Sequence, residues 1–327
     1  MTSTPSVSEL NEAEVVRLLS IPQLSQRLGN IIGTGVRATA LSDQHNIYAV
    51  AGSGGDFILR FPEDEAQLAV LRNEERIQAG LRSRVAVLIP DTRVIDGLDG
   101  CPVFAIHRMI PGEPLTSDSY SGLAPEVRER LVGDLAGFFR ATHGVPLPVA
   151  CEWLASRCDG ERTLAHGKPT WFGPPAVAEM RPKLGALTGY YPEGLFEETV
   201  RLFEALETNP DYMVFGHGDI HGGNVAMGQD DLGAKLVGVF DLGCAGILDI
   251  HEDLFRLSLV SDDLLERVMA AYRQLPGQAR PLDRARIAIY YRAFLFYLMA
   301  EVTGRALEHL KALLSKHLKT YSLSSDL

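Results

Sequence analysis

Residues 214–254 read VFGHGDIHGGNVAMGQDDLGAKLVGVFDLGCAGILDIHEDL, in which two apolar runs are joined by a polar turn and flanked by Asp and Asn side chains. Apolar residues lead into His217-Gly218-Asp219, and a short extended run, Val225 to Met227, follows Asn224. A polar turn from Gly228 to Gly233 then returns the chain along Lys235 to Phe240, ending at Asp241. In such a hairpin the start of the first strand lies beside the end of the second, so Asn224 and Asp241 are predicted neighbours. Two oxygen-bearing side chains meeting there suit magnesium, a hard cation usually held by one or two protein groups plus substrate phosphates. Asp219, upstream in the same loop, is placed to take the proton of an attacking hydroxyl, as phosphoryl transfer requires.

Each residue also has a plainer reading. An Asp beside glycines is an ordinary turn former. Against that stands the ordered set of matches at 217–219, 224, 241, 249 and 253. His217, Asp219 and His221 could alternatively bind zinc, but that site needs a further ligand the sequence does not identify.

These motifs resemble those of the aminoglycoside phosphotransferase and choline kinase-like family, relatives of the protein kinases. His217-Gly218-Asp219 through Asn224 is similar to its HGD-x4-N loop, and Phe240-Asp241-Leu242-Gly243 to its counterpart of the kinase D-F-G. Asp249 and Asp253-Leu254 match a pattern in which an Asp after the metal-binding turn anchors the loop and the following helix. The resemblance implies Asp219 as catalytic residue, Asn224 and Asp241 as Mg2+ ligands, and His217 as a loop-orienting group. It also implies an α+β, two-lobed protein kinase-like fold, with a small β-rich N-terminal lobe and a larger, mostly helical C-terminal lobe.

The N-terminal half follows that order. SELNEAEVVRLLS, residues 8–20, reads as an amphipathic helix with Ser8 as a possible N-cap and Val15, Val16, Leu18 and Leu19 apolar. Strands are predicted at Ala38–Leu41, Ile47–Val50 and Phe57–Phe61, with the Gly52–Gly55 turn marking a hairpin. A helix follows from Glu65 to Leu81, then strands at Val85–Ile89 and Val103–Ile106. By resemblance, Arg60 takes the place of the Lys that holds the nucleotide α and β phosphates, and Glu74 that of its ion-pair partner. Arg keeps the charge but is not equivalent to an ammonium.

The phosphate-covering loop departs further from the pattern. Gly33-Thr34-Gly35 starts a G-x-G, but Ala38 stands where a third Gly would be. The better placed turn, Leu41 to Asn46, ends in the Asn that the family has before its second strand, without the glycine. Asn46 is therefore a nucleotide-site candidate. The run from Phe104 to Gly112 resembles the inter-lobe linker whose backbone binds a purine edge, which adds Ile106 and His107. The division falls at about residue 110, giving a nucleotide-binding lobe, 1–110, and a catalytic and substrate-binding lobe, 111–327.

Helices are expected at Pro125–His143, Phe196–Glu207, Leu254–Leu275 and Asp283–Ala312, with Tyr290, Tyr291, Phe294, Phe296 and Tyr297 as helix core. GKPTWFGPP, residues 167–175, reads as either a lid over substrate or a connecting loop.

The chain has 327 residues, 46% of them hydrophobic, enough for two lobes around a sizeable core. No apolar run reaches the length of a membrane span and the first residues lack a signal-peptide pattern, so a cytoplasmic location is expected. Cys101, Cys151, Cys158 and Cys244 fit neither a disulfide framework nor a CxxC zinc site. The net charge of -11 argues against a nucleic-acid partner and mildly favours a cationic substrate.

Together these readings predict a kinase that moves the γ-phosphate of ATP or GTP to a small-molecule hydroxyl. An aminoglycoside or related aminated antibiotic is the first candidate acceptor. Macrolides, choline-like amines and amino sugars are the rivals. A non-catalytic nucleotide-binding regulator of kinase descent and a metal-dependent hydrolase are the readings from other classes.

Overall fold

A five-stranded antiparallel sheet, in spatial order β1-β2-β3-β5-β4, forms the N-terminal part of the computed structural model. The structure describes residues 10–28, 35–42, 46–98, 101–154, 169–187, 189–275 and 280–321. Ser8, Gly33-Thr34, Asp43-Gln44-His45, Cys158 and residues 167–168 lie outside these.

Two short helices, α1 (Glu12–Leu19) and α2 (Pro22–Arg27), precede the sheet. Asn11 caps α1 by accepting the Glu14 N–H, and Val15, Leu18 and Leu19 bury its apolar side. β1 (Arg37–Ser42), β2 (Ile47–Gly52) and β3 (Gly55–Arg60) form a meander. Gly52 pairs with Gly55 across a two-residue turn, where Gly55 adopts φ 116°. Alternation along β3 turns Phe57 and Leu59 into a small core with Val50 and Ile106 and leaves Arg60 on the opposite face. Each such fully buried side chain contributes roughly 1.5–3 kcal/mol.

α3 (Glu65–Leu81) starts at Asp64, whose side chain accepts the Gln67 N–H. Its C-terminal residues Ile77 and Leu81 join the large core of the second lobe. Gly80 lies against the Trp153 indole, which a Cβ would strike, so α3 rests directly on α6 (Leu147–Trp153).

The expected strand at Val85–Ile89 does not form. Leu88 instead donates its N–H to Val237 O and accepts from Val239 N–H, both at 2.9 Å, pairing with a hairpin far along the chain. The fourth strand is β4 (Arg93–Ile95), which pairs with β5 (Phe104–Arg108).

After β5 come α4 (Ser117–Ser121), α5 (Pro125–His143), α6, α7 (Pro174–Gly185) and α8 (Leu195–Ala205). α5 has the expected bounds, with Pro at its first position, where a missing N–H costs nothing. The Pro/Gly-rich segment puts Trp171 and Phe172 in a 3₁₀ turn packed against Phe203, which makes it part of the helical core. The segment predicted as one helix from Leu254 to Leu275 breaks into α9 (Ile250–Leu254), a 3₁₀ turn at Phe255–Leu259 and α10 (Asp262–Gln274), because Ser261 caps a new start. The last predicted helix also divides, into α11 (Arg284–Glu301) and α12 (Gly304–Thr320), whose first residue, Gly304, has φ 61°. Tyr290, Tyr291, Phe294 and Phe296 are buried as expected. Among the described residues no helix is long and apolar enough to cross a membrane.

Candidate active site

Two small ribbons build the site. β6 (Met213–Gly216) pairs antiparallel with β9 (Gly246–Asp249), and β7 (Val225–Asp230) with β8 (Gly233–Val239). All four β6 residues are buried, so this strand fixes where the loop at 217–224 emerges. The pairing of Val225 with Val239 sets Asn224 opposite Phe240, whose N–H donates to Asn224 O at 3.0 Å. The Asn224 and Asp241 positions are thereby adjacent, as the hairpin geometry requires.

The loop is tied from beneath. Asp253 is fully buried and accepts the N–H groups of Gly218 at 2.7 Å and His217 at 3.2 Å. His143 Nε2 donates to the same carboxylate at 3.0 Å. Burial pushes the Asp253 pKa up, but the His143 hydrogen bond and the neighbouring donors outweigh it and hold the carboxyl below its usual range. Gly218 has φ 75°, and a Cβ there would collide with the Cys244 carbonyl oxygen. The loop can lie against the Asp241–Cys244 turn only because Gly stands at this point.

His217 joins the same two segments. Its Nε2 donates to Phe240 O at 2.9 Å, and its Nδ1 accepts the Asp219 N–H at 3.2 Å. Burial lowers its pKa, which keeps the ring neutral and suits this pattern of one donor and one acceptor. With both nitrogens engaged, His217 cannot serve as a zinc ligand. Among the described residues no group of His, Cys, Asp and Glu could hold a metal ion by itself.

Asn224 Nδ2 donates to Asp219 O at 2.9 Å and to Asp219 Oδ2 at 3.2 Å. This fixes the amide orientation and leaves the Asn224 carbonyl oxygen for another partner. Asp241 has φ 61° and ψ 65°, a left-handed conformation that Asp tolerates better than most residues, and its side chain is 48% exposed. Asp241 and Asn224 thus offer two oxygen donors with no sulfur or imidazole, a set that fits a magnesium ion.

On the opposite side, Arg60 Nη1 meets Glu74 Oε2 at 2.7 Å and comes within 3.9 Å of Asp241 Oδ1. Burial works against the Arg60 charge, but Glu74 and Asp241 more than offset it and raise the pKa. Burial dominates at Glu74 and lifts its carboxyl to about 7 against the pull of Arg60. Asn46 lies at the start of β2, where its carbonyl accepts the Phe61 N–H at 3.1 Å. Its φ is 46°, and its side-chain amide donates to Glu63. Ile106 is central in the sheet with its side chain in the small core. His107 is half-buried, its pKa lowered by burial, and it feels both Arg60 and Asp241. The segment after β5 is laced to β7 by reciprocal Glu113–Met227 backbone bonds of 2.8 Å.

Arg256 carries no motif signal in the sequence, yet its Nε lies 3.1 Å from Asp219 Oδ1. Asp249 caps α9 through the His251 N–H and pairs with Arg286 Nε at 2.8 Å. The acidic residues outside the hairpin are already engaged: Asp262 with Lys316, Asp263 with Arg267 and Tyr120, and Glu301 with Lys183. Cys101 is a partly buried thiol.

Solved structures with this fold include the GDP complex of aminoglycoside 2'-phosphotransferase-IIIa, at 17% identity and a TM-score of 0.67 over 95% of this chain and 99% of that one. Macrolide 2'-phosphotransferase type I is similar at 20% identity and a TM-score of 0.59, covering 96% of this chain and 99% of its own. The streptomycin–ATP complex of APH(2")-IIa is similar at 16% identity and a TM-score of 0.59, over 90% of this chain and 98% of that one. At such identities these likenesses show a common two-lobed, kinase-like fold. No curated protein sequence matches the chain. The profile of the phosphotransferase enzyme family does match, over residues 37–290, which takes in both the Arg60–Glu74 pair and the whole β7–β8 hairpin. By that match, the chain belongs to the phosphotransferase enzyme family.

Proposed function

We propose that this protein transfers the γ-phosphate of ATP or GTP to a hydroxyl of a small aminated molecule, with an aminoglycoside or related antibiotic as first candidate. A role in antibiotic resistance follows from that acceptor. One observation carries the reading: Asp219, Asn224 and Asp241 gather at one end of the β7–β8 hairpin, with the Arg60–Glu74 pair 3.9 Å from Asp241.

In this reading Asp219 accepts the hydrogen bond of the acceptor hydroxyl, orients it and takes its proton. Arg60, steadied by Glu74, binds the donor phosphates. Asn46 and the main chain near Ile106 and His107 line the nucleotide side. Asn224 and Asp241 would hold magnesium, which would supply positive charge to offset that of the donor phosphates. The protein's contribution is mainly position and preorganised charge. Residues 1–110 then form the nucleotide-binding lobe and residues 111–327 the catalytic and acceptor-binding lobe. A cytoplasmic setting fits, since nucleoside triphosphates are supplied there, and the acidic chain favours a cationic acceptor over nucleic acid.

A macrolide is the second reading. It is favoured by the likeness in fold to macrolide 2'-phosphotransferase type I, which extends over 96% of this chain. A macrolide carries few amines and a large apolar face.

The test is nucleotide consumption with ATP and GTP in parallel, magnesium present, across aminoglycosides, macrolides, choline and amino sugars. Turnover that depends on an aminoglycoside supports the first reading, and turnover with macrolides alone supports the second. Nucleotide binding without turnover on any acceptor counts against both.

A further inference from the structure

Arg256 is 5% exposed and follows α9 in the 3₁₀ turn at Phe255–Leu259. Its guanidinium carbon lies 4.7 Å from the centroid of the Phe255 ring and 4.9 Å from that of Phe294. Nη1 donates to the Glu252 carbonyl oxygen at 3.3 Å. Trp171 closes the cluster: its ring packs on Phe255 and Phe294, and its Nε1 donates to Glu252 Oε1 at 3.2 Å. A guanidinium gripped by aromatic faces and a carbonyl has little freedom to swing away.

This immobilised cation points at Asp219. Arg256 Nε approaches Asp219 Oδ1 to 3.1 Å, without the alignment of a hydrogen bond, so the contact is directed by charge. The other oxygen, Oδ2, accepts from Asn224 Nδ2 at 3.2 Å. Each oxygen of the carboxylate therefore has its own partner, and loss of Arg256 releases one of them. A buried cation unrelated to Asp219 would not require this facing arrangement.

We propose that Arg256 is the positioning residue for Asp219, fixing the rotation of its carboxylate toward the acceptor. The proposal rests on the phosphotransferase reading above. Phosphoryl transfer gains chiefly from alignment, so a modest rotation of Asp219 has a large effect on rate.

The test compares wild type with Arg256→Gln, Arg256→Lys, Asp219→Asn and the Arg256→Gln/Asp219→Asn double variant, by transfer of labelled phosphate to whichever acceptor the wild type uses. Arg256→Gln is expected to lower kcat by about 10²-fold while both KM values stay within about threefold. Arg256→Lys regains part of the loss, since it restores charge without the planar fork. In the Asp219→Asn background, Arg256→Gln causes no more than about a twofold further loss, because the two residues act as one unit. A full additional loss in that background overturns the proposal. A crystal structure of Arg256→Gln supplies a readout independent of activity. There Asp219 is expected in a new orientation, and an unchanged carboxylate overturns the proposal. Should the Gln variant fail to fold, the Lys variant carries the same comparisons. Absence of phosphate transfer by the wild type would count against the phosphotransferase reading, while the orientation of Asp219 would still decide the positioning role.

Discussion

Arg60 on β3 and Glu74 on α3 meet at 2.7 Å, with the Glu74 side chain 1% exposed. The helix that carries Glu74 packs on Trp153 at Gly80. Glu74→Ala removes the partner that sets the Arg60 head. The nucleotide KM is expected to rise about tenfold, corresponding to roughly 1.4 kcal/mol, with the fold retained. Steady-state kinetics with varied ATP and GTP, alongside a circular dichroism melt, checks this. An unchanged KM would separate Glu74 from nucleotide binding.

Asp253 supports the loop more than the chemistry. Asp253→Ala leaves two backbone N–H groups and His143 without their acceptor in a buried site. A loss of about 3–5 kcal/mol in unfolding free energy is expected, measurable by urea denaturation. A loss under 1 kcal/mol would show that the loop is held by other contacts.

At Asp241 the expected effect lies in metal dependence. Asp241→Ala removes one of two oxygen donors, so half-maximal turnover should need about tenfold or more extra magnesium. A magnesium titration at saturating nucleotide measures it, and a superimposable curve would remove Asp241 from the metal site.

His317 gives the pH prediction. Burial lowers its pKa to about 4, neither ring nitrogen has a hydrogen-bond partner, and Arg292 and Arg284 oppose its protonation while Asp262 favours it. The unfolded chain takes up a proton near pH 6.5 and the folded chain only near 4. The stability contribution is thus full above 6.5 and is lost as pH falls through 4, by about 3 kcal/mol. Glu252 acts in the opposite direction. Burial raises its pKa to about 7, so its contribution is present below about 4.5 and is lost as pH rises through 7. His317→Leu should therefore make the protein more stable toward acid than the wild type between pH 6.5 and 4. Melts across that window test this, and parallel curves for the two proteins would contradict it.

Much of this architecture is legible in the sequence where the signal is local. α3 and α5 keep their predicted bounds because apolar spacing, the Asp64 cap and Pro125 all lie within the segments themselves. The β7–β8 hairpin is legible for the same reason, and its register brings the Asn224 and Asp241 positions together. Legibility fails where partners are remote. Leu88 reads as a strand by composition, but its backbone bonds go to Val237 and Val239. The breaks before α10 and α12 fall at Ser261 and Gly304, whose capping and left-handed roles show only in the folded chain. Arg256 looks like any surface Arg until the fold sets Phe255 and Phe294 around it and Asp219 before it. The acidic residues Asp262 and Glu301 gain their ion-pair partners, Lys316 and Lys183, only in three dimensions.

The central claim, that Asp219 acts on the acceptor hydroxyl, is tested most directly by measuring turnover and nucleotide affinity together in Asp219→Ala. Turnover is expected to fall by about 10³-fold or more while magnesium–nucleotide affinity, read by calorimetry, stays within about threefold of wild type. A parallel loss of affinity and turnover, or turnover that survives the substitution, would contradict the account.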